Sequence, residues 1–244
     1  MADEEVMLKL EDVHAYYGES HILQGISLKV GKGKIVALLG RNGVGKTTTL
    51  KTILNIVRSK NGKIWFLGED ITYKPTYEIA KDVAYIPQER GIFPKLTVKE
   101  NILLSLKTYR KRLDKKSIEE KIEQIFALFP VLKERENKMG NTLSGGEQAM
   151  LTIGRALLSD GKLLLWDESF SGLSPTVISK TTKRLKEMCM EGKSILLVEQ
   201  NVLAALQISD YCYVMDKGKI IFEGSGGELK QAEEIMKRLI SIRP

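Results

Sequence analysis

The sequence holds few of the residues that crosslink a chain, and it lacks the long apolar runs that cross a membrane. Cys189 and Cys212 are the only cysteines, too few for a disulfide framework and without the spacing of metal ligands. We expect them to be small core residues of a cytosolic protein. No apolar run approaches the roughly 18 residues of a spanning helix, and the acidic start M-A-D-E-E is unlike a signal peptide. These absences predict a soluble chain.

The length and composition favour one large core with a smaller addition. A chain of 244 residues with 43% hydrophobic content can bury an α/β core plus a subdomain. The net charge of +7 by itself fits nucleic acid, an anionic membrane face or solubility alone. Six residues form a basic cluster: Lys107, Arg110, Lys111, Arg112, Lys115 and Lys116. With Tyr109 as its one aromatic residue, the cluster is interpreted first as a solvated face, second as a contact with membrane headgroups or a partner, and last as a nucleic-acid site.

A glycine-rich loop of the pattern G-x-x-x-x-G-K-[ST] follows residues 34–39, an apolar run suited to a buried parallel strand. After the loop, four apolar residues recur at helical spacing: Leu50, Ile53, Leu54 and Val57. In this strand-turn-helix setting backbone N–H groups converge on phosphates, Lys46 can reach the β- and γ-phosphates, and the Thr47 hydroxyl can ligate Mg²⁺. The predicted nucleotide-binding residues are Gly40, Arg41, Asn42, Gly43, Val44, Gly45, Lys46, Thr47 and Thr48.

Two later motifs narrow the chemistry. Residues 143–148 read L-S-G-G-E-Q, and residues 163–168 read L-L-L-W-D-E, an apolar strand that ends in two adjacent carboxylates. In this order the three motifs resemble one family only, the ABC ATPases. The resemblance implies an α/β fold of the P-loop NTPase type, with a mixed central sheet, an N-terminal antiparallel β layer and an inserted α-helical subdomain. It also implies that Asp167 holds Mg²⁺ through water and that Glu168 polarises the water that attacks the γ-phosphate of ATP.

The apolar pattern along the chain fits that architecture. Predicted strands are residues 62–67, 83–86, 162–167, 194–199, 211–216 and 219–223, after strand-like alternation over residues 8–30. Predicted helices lie near residues 176–191, 202–208 and 228–240, and residues 97–136 are helical, with an S-x-x-E start at Ser117 and a stop at Pro130. We expect a single ABC ATPase domain over residues 1–244, with 1–91 and 159–244 as catalytic core and 92–158 as helical subdomain.

Two further positions match the family in the first half of the chain. Tyr17 matches the aromatic residue that stacks on adenine, and Tyr16 competes for that role; Tyr17 is favoured because it directly precedes Gly18. Gln88 matches the glutamine that touches Mg²⁺ and the attacking water. Because Gln88 lies where the sheet meets the helical subdomain, the resemblance implies that it moves that subdomain when γ-phosphate is present.

The serine of L-S-G-G-E-Q supports two interpretations that hold together. Ser144 and Glu147 form a capping box for the helix that follows. A capped N-terminus with Gly145 and Gly146 also binds phosphate well, and in the family it binds the γ-phosphate held by the opposite subunit. The resemblance therefore implies an active site divided between two chains, with residues 171–175 between the acidic pair and the partner's phosphate loop.

The chain departs from the common family pattern at two positions. Ser169 stands where proline is usual after the glutamate, which leaves the backbone of Glu168 freer. Gln200 stands where many members carry a histidine that touches the γ-phosphate. The two histidines, His14 and His21, lie far upstream and are expected to be surface residues. The Gln200 amide can still donate a hydrogen bond to an oxyanion. The alternative is that Gln200 only caps the next helix.

Gln200, the S-G-L-S-P loop, residues 92–101 and the compact length resemble the ATPase subunits of importers for branched-chain and other amino acids, with amide and urea importers as relatives. This resemblance implies a second ABC ATPase subunit, identical or different, two membrane-spanning permease subunits, and indirectly a substrate-binding protein. It places the chain on the cytoplasmic face of the membrane, with no nucleic acid. A soluble ABC ATPase acting on ribosomes or DNA is the alternative, and a GTPase is disfavoured because residues 137–140 lack the aspartate of N-K-x-D.

Overall fold

The computed structural model describes residues 5–89, 91–106 and 113–240. Its strands are β1 (Val6–Tyr17), β2 (Ser20–Gly31), β3 (Ile35–Leu39), β4 (Ser59–Phe66), β5 (Glu69–Asp70), β6 (Val83–Ile86), β7 (Leu163–Asp167), β8 (Ser194–Glu199), β9 (Tyr211–Asp216) and β10 (Lys219–Gly224). Its helices are α1 (Lys46–Ile53), α2 (Thr76–Ile79), α3 (Val98–Leu106), α4 (Lys115–Leu128), α5 (Pro130–Glu134), α6 (Gly145–Leu157), α7 (Pro175–Met190), α8 (Val202–Ile208), α9 (Gly226–Gln231) and α10 (Glu233–Ile240). Within the described ranges, no helix is both long and apolar enough to cross a membrane.

Two sheets form the body of the protein. The first has four antiparallel strands in the order β2-β1-β4-β5, which is the predicted N-terminal β layer. The second has six strands in the order β10-β9-β3-β8-β7-β6. In this sheet β6, β7, β8, β3 and β9 are parallel, and β10 is antiparallel to β9. The mixed central sheet of the predicted fold class is therefore confirmed.

The central sheet is covered on both faces. Every residue of β3, β7 and β8 is buried, as expected for parallel strands packed on two sides. Along β3, Val36 and Leu38 pack into the core shared with the antiparallel sheet, whereas Ile35, Ala37 and Leu39 pack against the helices. The alternation follows from the two-residue repeat of a strand. The same alternation determines which side chains of each strand face the antiparallel sheet and which face the helices.

The structure corrects three details of the predicted helices. Asp114 caps α4, with its Oδ1 accepting from the Ser117 backbone N–H at 2.8 Å, so the prediction of a start at Ser117 is wrong. Pro130 begins α5 at its first position, where proline is tolerated, so it does not simply stop the helical region. The C-terminal helix is two helices that meet at Ala232.

The structure also shows where Val57 and part of the basic cluster lie. Val57 lies beyond the end of α1, although it is buried with Leu50, Ile53 and Leu54. Of the basic cluster, Lys107, Arg110, Lys111 and Arg112 lie outside the described residues. Its last two members, Lys115 and Lys116, are exposed on α4, each 3.9 Å from the carboxylate four residues further on. For these two lysines a solvated face is the account that fits.

Candidate active site

The phosphate loop, residues 40–48, connects β3 to the first turn of α1. Gly40 adopts φ +156°, and a Cβ at this residue would lie 2.5 Å from the backbone oxygen of Met215, so a side chain cannot fit. Lys46 is buried, and its Nζ donates to the backbone oxygens of Gly40 at 2.9 Å and Arg41 at 3.0 Å. The loop thus curls around its own lysine, as the sequence motif predicts for a phosphate cradle.

Asp167 ends β7 and is held by two hydroxyl groups. Its Oδ1 accepts from the Thr47 hydroxyl at 3.0 Å, and its Oδ2 accepts from the Tyr85 hydroxyl at 3.1 Å. Burial raises the pKa of Asp167, while the two hydroxyl donors and the charge of Lys46 oppose that rise. The fold therefore brings together a carboxylate and a hydroxyl group of α1, both of them oxygen ligands of the kind that Mg²⁺ prefers.

Three predicted residues meet at one carboxylate, that of Glu168. Its Oε1 lies 3.1 Å from Lys46 Nζ, and its Oε2 accepts from Gln88 Nε2 at 3.1 Å and also from Gln200 Nε2. The Glu168 backbone adopts φ +48°, a conformation that non-glycine residues rarely hold, and its N–H donates to the Val198 oxygen at 2.9 Å. Such a backbone at the centre of a cleft is typical of functional sites.

Tyr17 and Tyr16 have different surroundings. The cleft over the phosphate loop is lined by Tyr17 and Ile22, by loop residues that include Lys46, and by Gln88 and Glu168. Tyr17 is 49% exposed. The Tyr16 ring instead stacks on the His21 ring, with centroids 4.2 Å apart, and lies 4.5 Å from Lys60 Nζ. Of the two tyrosines, only Tyr17 is free to receive a flat ligand beside the loop.

The two histidines lie in β1 and β2, away from the position of Gln200 in sequence and in the sheet order. They are half-buried and face each other, with His14 Nδ1 3.0 Å from His21 Nε2. His14 Nε2 also lies 3.2 Å from Asp12 Oδ1. Both histidines are thus partly exposed, in keeping with the expectation of surface residues, and their rings contact each other.

The residues predicted to bind a second nucleotide lie at the start of α6. The Ser144 hydroxyl accepts from the Glu147 backbone N–H at 3.4 Å, and Glu147 Oε2 accepts from the Ser144 N–H at 2.7 Å, which confirms the capping box. Gly145 and Gly146 form the first turn, where a Cβ at Gly146 would lie 3.5 Å from the Gly172 oxygen. Within the described residues, these four do not line the cleft over the phosphate loop.

Gln200 does not cap the following helix. The N-cap of α8 is Asn201, whose Oδ1 accepts from the Ala204 N–H at 3.1 Å. Gln200 is exposed and directs its amide to Glu168. It also lines a second cleft with Gln88, Glu168 and Thr152 of α6. The local capping alternative for Gln200 is therefore excluded, and its side chain contacts Glu168.

Ser169, which stands in place of the usual proline, has its hydroxyl 3.0 Å from the Asp167 oxygen and 3.4 Å from the Pro87 oxygen. A proline would restrict the conformation of the residue before it. Serine leaves Glu168 without that restriction and adds hydrogen bonds to the corner.

The sequence reasoning missed two side chains of the site. Tyr85, three residues before Gln88, donates to Asp167. Glu199, directly before Gln200, is 5% exposed, and its Oε1 accepts from the Trp166 indole N–H at 3.1 Å and from the Phe170 backbone N–H at 3.4 Å. A signal for Glu199 was available, because it is the one charged residue in the apolar strand S-I-L-L-V-E.

Known proteins resemble this chain in sequence and in fold. The family model described as ABC transporter matches residues 23–171. The chain belongs to the ABC transporter family. Its sequence is 39% identical over 224 residues to the high-affinity branched-chain amino acid transport ATP-binding protein BraG of Pseudomonas aeruginosa, covering 91% of this chain and 94% of that protein. It is 34% identical over 232 residues to the lipopolysaccharide export system ATP-binding protein LptB of Haemophilus influenzae, covering 95% of each.

A solved structure of an ATP-binding subunit of an ABC transporter superposes with a TM-score of 0.85 at 26% identity, covering 96% of this chain and 97% of that one. The protein is thus an ABC ATP-binding subunit with the P-loop fold, and it is an ATPase of the kind coupled to transport. ABC ATPase domains bind ATP and work with membrane permease partners. Because the chain is similar both to an amino-acid transport protein and to a lipopolysaccharide export protein, its family alone does not determine the direction of transport.

Proposed function

We propose that this chain is the ATP-hydrolysing motor subunit of an ABC importer, with branched-chain or other amino acids as cargo. The observation that carries the enzymatic part is the convergence of Lys46, Gln88 and Gln200 on the carboxylate of Glu168. A carboxylate at the end of a buried strand, beside a phosphate loop, can accept a proton from the water that attacks the γ-phosphate. Gln88 and Gln200 then hold this base and the water in line.

ATP binds over residues 40–48, with its adenine on Tyr17. The exposed ring of Tyr17 lines the same cleft as the loop, whereas the Tyr16 ring is already stacked on His21. Lys46 moves from the loop's own carbonyl oxygens to the β- and γ-phosphates, and the backbone N–H groups of the loop and of α1 hold the phosphate oxygens.

The oxygen ligands that Mg²⁺ prefers lie together at the first turn of α1. The Thr47 hydroxyl is 3.0 Å from Asp167 Oδ1, and the Gln88 side chain reaches the adjacent Glu168. These residues fit the ion: Thr47 and Gln88 would hold it directly and Asp167 through water. When bound, the ion neutralises charge on the β- and γ-phosphates. Tyr85 keeps Asp167 oriented from the opposite oxygen.

The second half of each site comes from another ABC ATPase subunit. Ser144, Gly145, Gly146 and Glu147 form a capped helix N-terminus that suits an anion, yet they do not line the cleft that holds Lys46 in the described part of the chain. In a dimer of two such subunits, this N-terminus faces the γ-phosphate on the partner's loop. The partner is a second copy or a related subunit.

Motion reaches the membrane through residues 92–158. This segment holds α3 to α6 and acts as the helical subdomain, whereas residues 1–91 and 159–244 act as the catalytic core. Gln88 lies at the junction between them and contacts Glu168. Gln88 would help to hold a metal ion at the γ-phosphate, and the helical subdomain would then rotate with Gln88 against two membrane-spanning permease subunits on the inner face of the membrane.

The importer assignment has two supports, the 39% identity to BraG and Gln200 in place of the usual histidine. The test is reconstitution in vesicles with two permease subunits and a substrate-binding protein. We expect ATP-dependent uptake of leucine, isoleucine or valine. Uptake of urea or short amides alone would assign the cargo to the related importers, and outward movement of lipopolysaccharide would overturn import. Failure to co-purify with membrane subunits, together with binding to ribosomes or DNA, would overturn the transport role.

A further inference from the structure

Glu199 is a buried carboxylate that the proposed hydrolysis does not use. It ends β8, is 5% exposed, and the two hydrogen bonds it accepts within the described part of the chain come from uncharged donors, the Trp166 indole and the Phe170 backbone. The other buried acids of the site contact Lys46 or the hydroxyl groups of Thr47 and Tyr85. Because a buried carboxylate without a cation is costly, a contribution to stability does not explain Glu199 at this position.

Both donors of Glu199 flank the acidic pair. Trp166 directly precedes Asp167 in β7, and Phe170 comes two residues after Glu168. The Trp166 ring is fully buried and its centroid lies 4.6 Å from that of the Phe170 ring, so the side chains of these two residues are packed against each other. A single oxygen, Glu199 Oε1, therefore accepts hydrogen bonds from one residue that precedes and one that follows Glu168, the proposed base.

Three hydrogen bonds with residues 198–200, at the end of β8, hold the turn around Glu168. The Val198 oxygen accepts from the Glu168 N–H, Glu199 accepts from the Phe170 N–H, and the Gln200 amide donates to the Glu168 carboxylate. Glu168 is held at φ +48°, which a non-glycine residue keeps only where its surroundings impose it. Of these three hydrogen bonds, the one from the Phe170 N–H, which follows Glu168 in the chain, depends on the side chain of Glu199.

We infer that Glu199 is a positioning residue for hydrolysis: by holding the Phe170 N–H and the Trp166 indole, it fixes the backbone turn that aims the Glu168 carboxylate at the attacking water. This inference rests on the proposed role of Glu168 as the base. Glu199 does not line the cleft over the phosphate loop, and within the described residues its side chain accepts from Trp166 and Phe170, so we place it outside the nucleotide and metal sites. Its removal therefore lowers kcat and leaves the affinity for ATP almost unchanged.

The decisive comparison is between two substitutions of Glu199. Glu199→Gln keeps a carbonyl oxygen that can accept both hydrogen bonds, whereas Glu199→Leu has a similar volume and no acceptor. We expect Glu199→Leu to lower kcat per folded protein about ten-fold or more with the KM for ATP within about two-fold, and Glu199→Gln to keep most of the parental kcat. A parental kcat in Glu199→Leu, or an equal loss in both variants, would overturn the inference.

A double-mutant cycle separates this inference from the role of Glu168. If Glu199 acts only through Glu168, adding Glu199→Leu to Glu168→Gln should lower the residual rate no further than about two-fold. A full additional ten-fold loss would overturn the positioning role while leaving Glu168 as the base. A parental rate in Glu168→Gln alone would instead reject the proposed base. Should Glu199→Leu not fold, Trp166→Phe removes one of the two donors, and we then expect a drop of about three-fold in kcat, while an unchanged kcat would count against the inference.

Discussion

Lys46 Nζ lies 3.1 Å from Glu168 Oε1, and both side chains are buried, with 4% and 9% of their surfaces exposed. The same ammonium group contacts two carbonyl oxygens of the phosphate loop. Phosphate oxygens carry more negative charge than a single carboxylate, so bound ATP competes with Glu168 for Lys46. We infer that phosphate binding draws Lys46 away and thereby frees the Glu168 carboxylate for the attacking water.

The contact from Gln200 to Glu168 leads to a prediction about rate. Because a preorganised amide donor at developing charge is lost, Gln200→Ala should lower kcat about ten-fold or more, with a smaller change in ATP affinity. Gln200→His should recover part of that rate and add a pH-dependent limb between about pH 6 and 7.5, since imidazole titrates in that range. ATPase rates per folded protein, measured across pH, give the answer.

The neighbouring residue supplies the control. Asn201 caps α8 through its contact with the Ala204 N–H, so Asn201→Ala should cost about 1 kcal/mol of stability while kcat stays near the parental value. An unaltered kcat in Gln200→Ala would remove Gln200 from the active site. The same loss of kcat in both variants would indicate that the helix, and not the Gln200 amide, is what matters.

The divided site predicts complementation between two inactive variants. Lys46→Ala and Ser144→Arg each destroy every site of a homodimer, whereas a mixed dimer regains one intact site. Equal mixing should restore about a quarter of the parental ATPase rate, because half of randomly formed dimers carry one intact site of two. The measurement is ATPase activity of each variant alone and of the mixture. Full activity of either variant alone would contradict the trans arrangement, and a different natural partner moves the same test to the heterodimer.

Several elements could be predicted from the sequence to the residue. Val83–Ile86, Ser194–Glu199, Val202–Ile208 and Tyr211–Asp216 match their predicted bounds, because buried parallel strands read as continuous apolar runs between short helices. The start of α4 was mispredicted because D-K-K-S and S-I-E-E overlap and both fit a cap. Capping preferences alone cannot rank Asp114 above Ser117, since the choice depends on how the helix packs.

Most residues of the candidate site could be predicted from the sequence, but the contacts between them could not. Motif spacing identified Lys46, Asp167 and Glu168, which lie at or after the carboxyl ends of β3 and β7, two strands on either side of β8. The register between β7 and β8 decides that Gln200 reaches Glu168, and no local pattern encodes that register. Glu199 stands out in the sequence as the charged residue of an apolar strand, but its donors lie on β7 and in the following loop, about 30 residues away, so its contacts could not be predicted.

Glu199 also predicts how stability depends on pH. Burial, and to a smaller degree the charges of Glu168 and Asp167, raise its pKa from 4.5 to about 7, although the Trp166 and Phe170 donors oppose the shift. Because the folded state holds this proton more tightly than the unfolded state, the free energy of unfolding falls as pH rises from 4.5 to 7. Glu199→Gln removes that fall, so relative to the parent it should gain on the order of 3 kcal/mol over this range.

The check is urea unfolding of parent and Glu199→Gln at pH 4.5, 6 and 7.5, without nucleotide. The raised pKa of Asp167 acts in the same direction in both proteins, so most of its effect cancels in the difference, apart from its charge interaction with Glu199. A difference in unfolding free energy that stays constant with pH would show that Glu199 ionises normally in the folded protein. A gain for the parent as pH rises would mean that the sign is reversed.

The most direct measurement of the central claim, that Glu168 is the base of an ATP-hydrolysing site, is ATP turnover and ATP binding by Glu168→Gln. The matched control is Glu119→Gln, which changes an exposed carboxylate on α4. We predict that Glu168→Gln binds Mg·ATP at least as well as the parent, hydrolyses it about 100-fold or more slowly, and accumulates a nucleotide-bound dimer, while Glu119→Gln behaves as the parent does. Hydrolysis by Glu168→Gln at the parental rate would contradict the account.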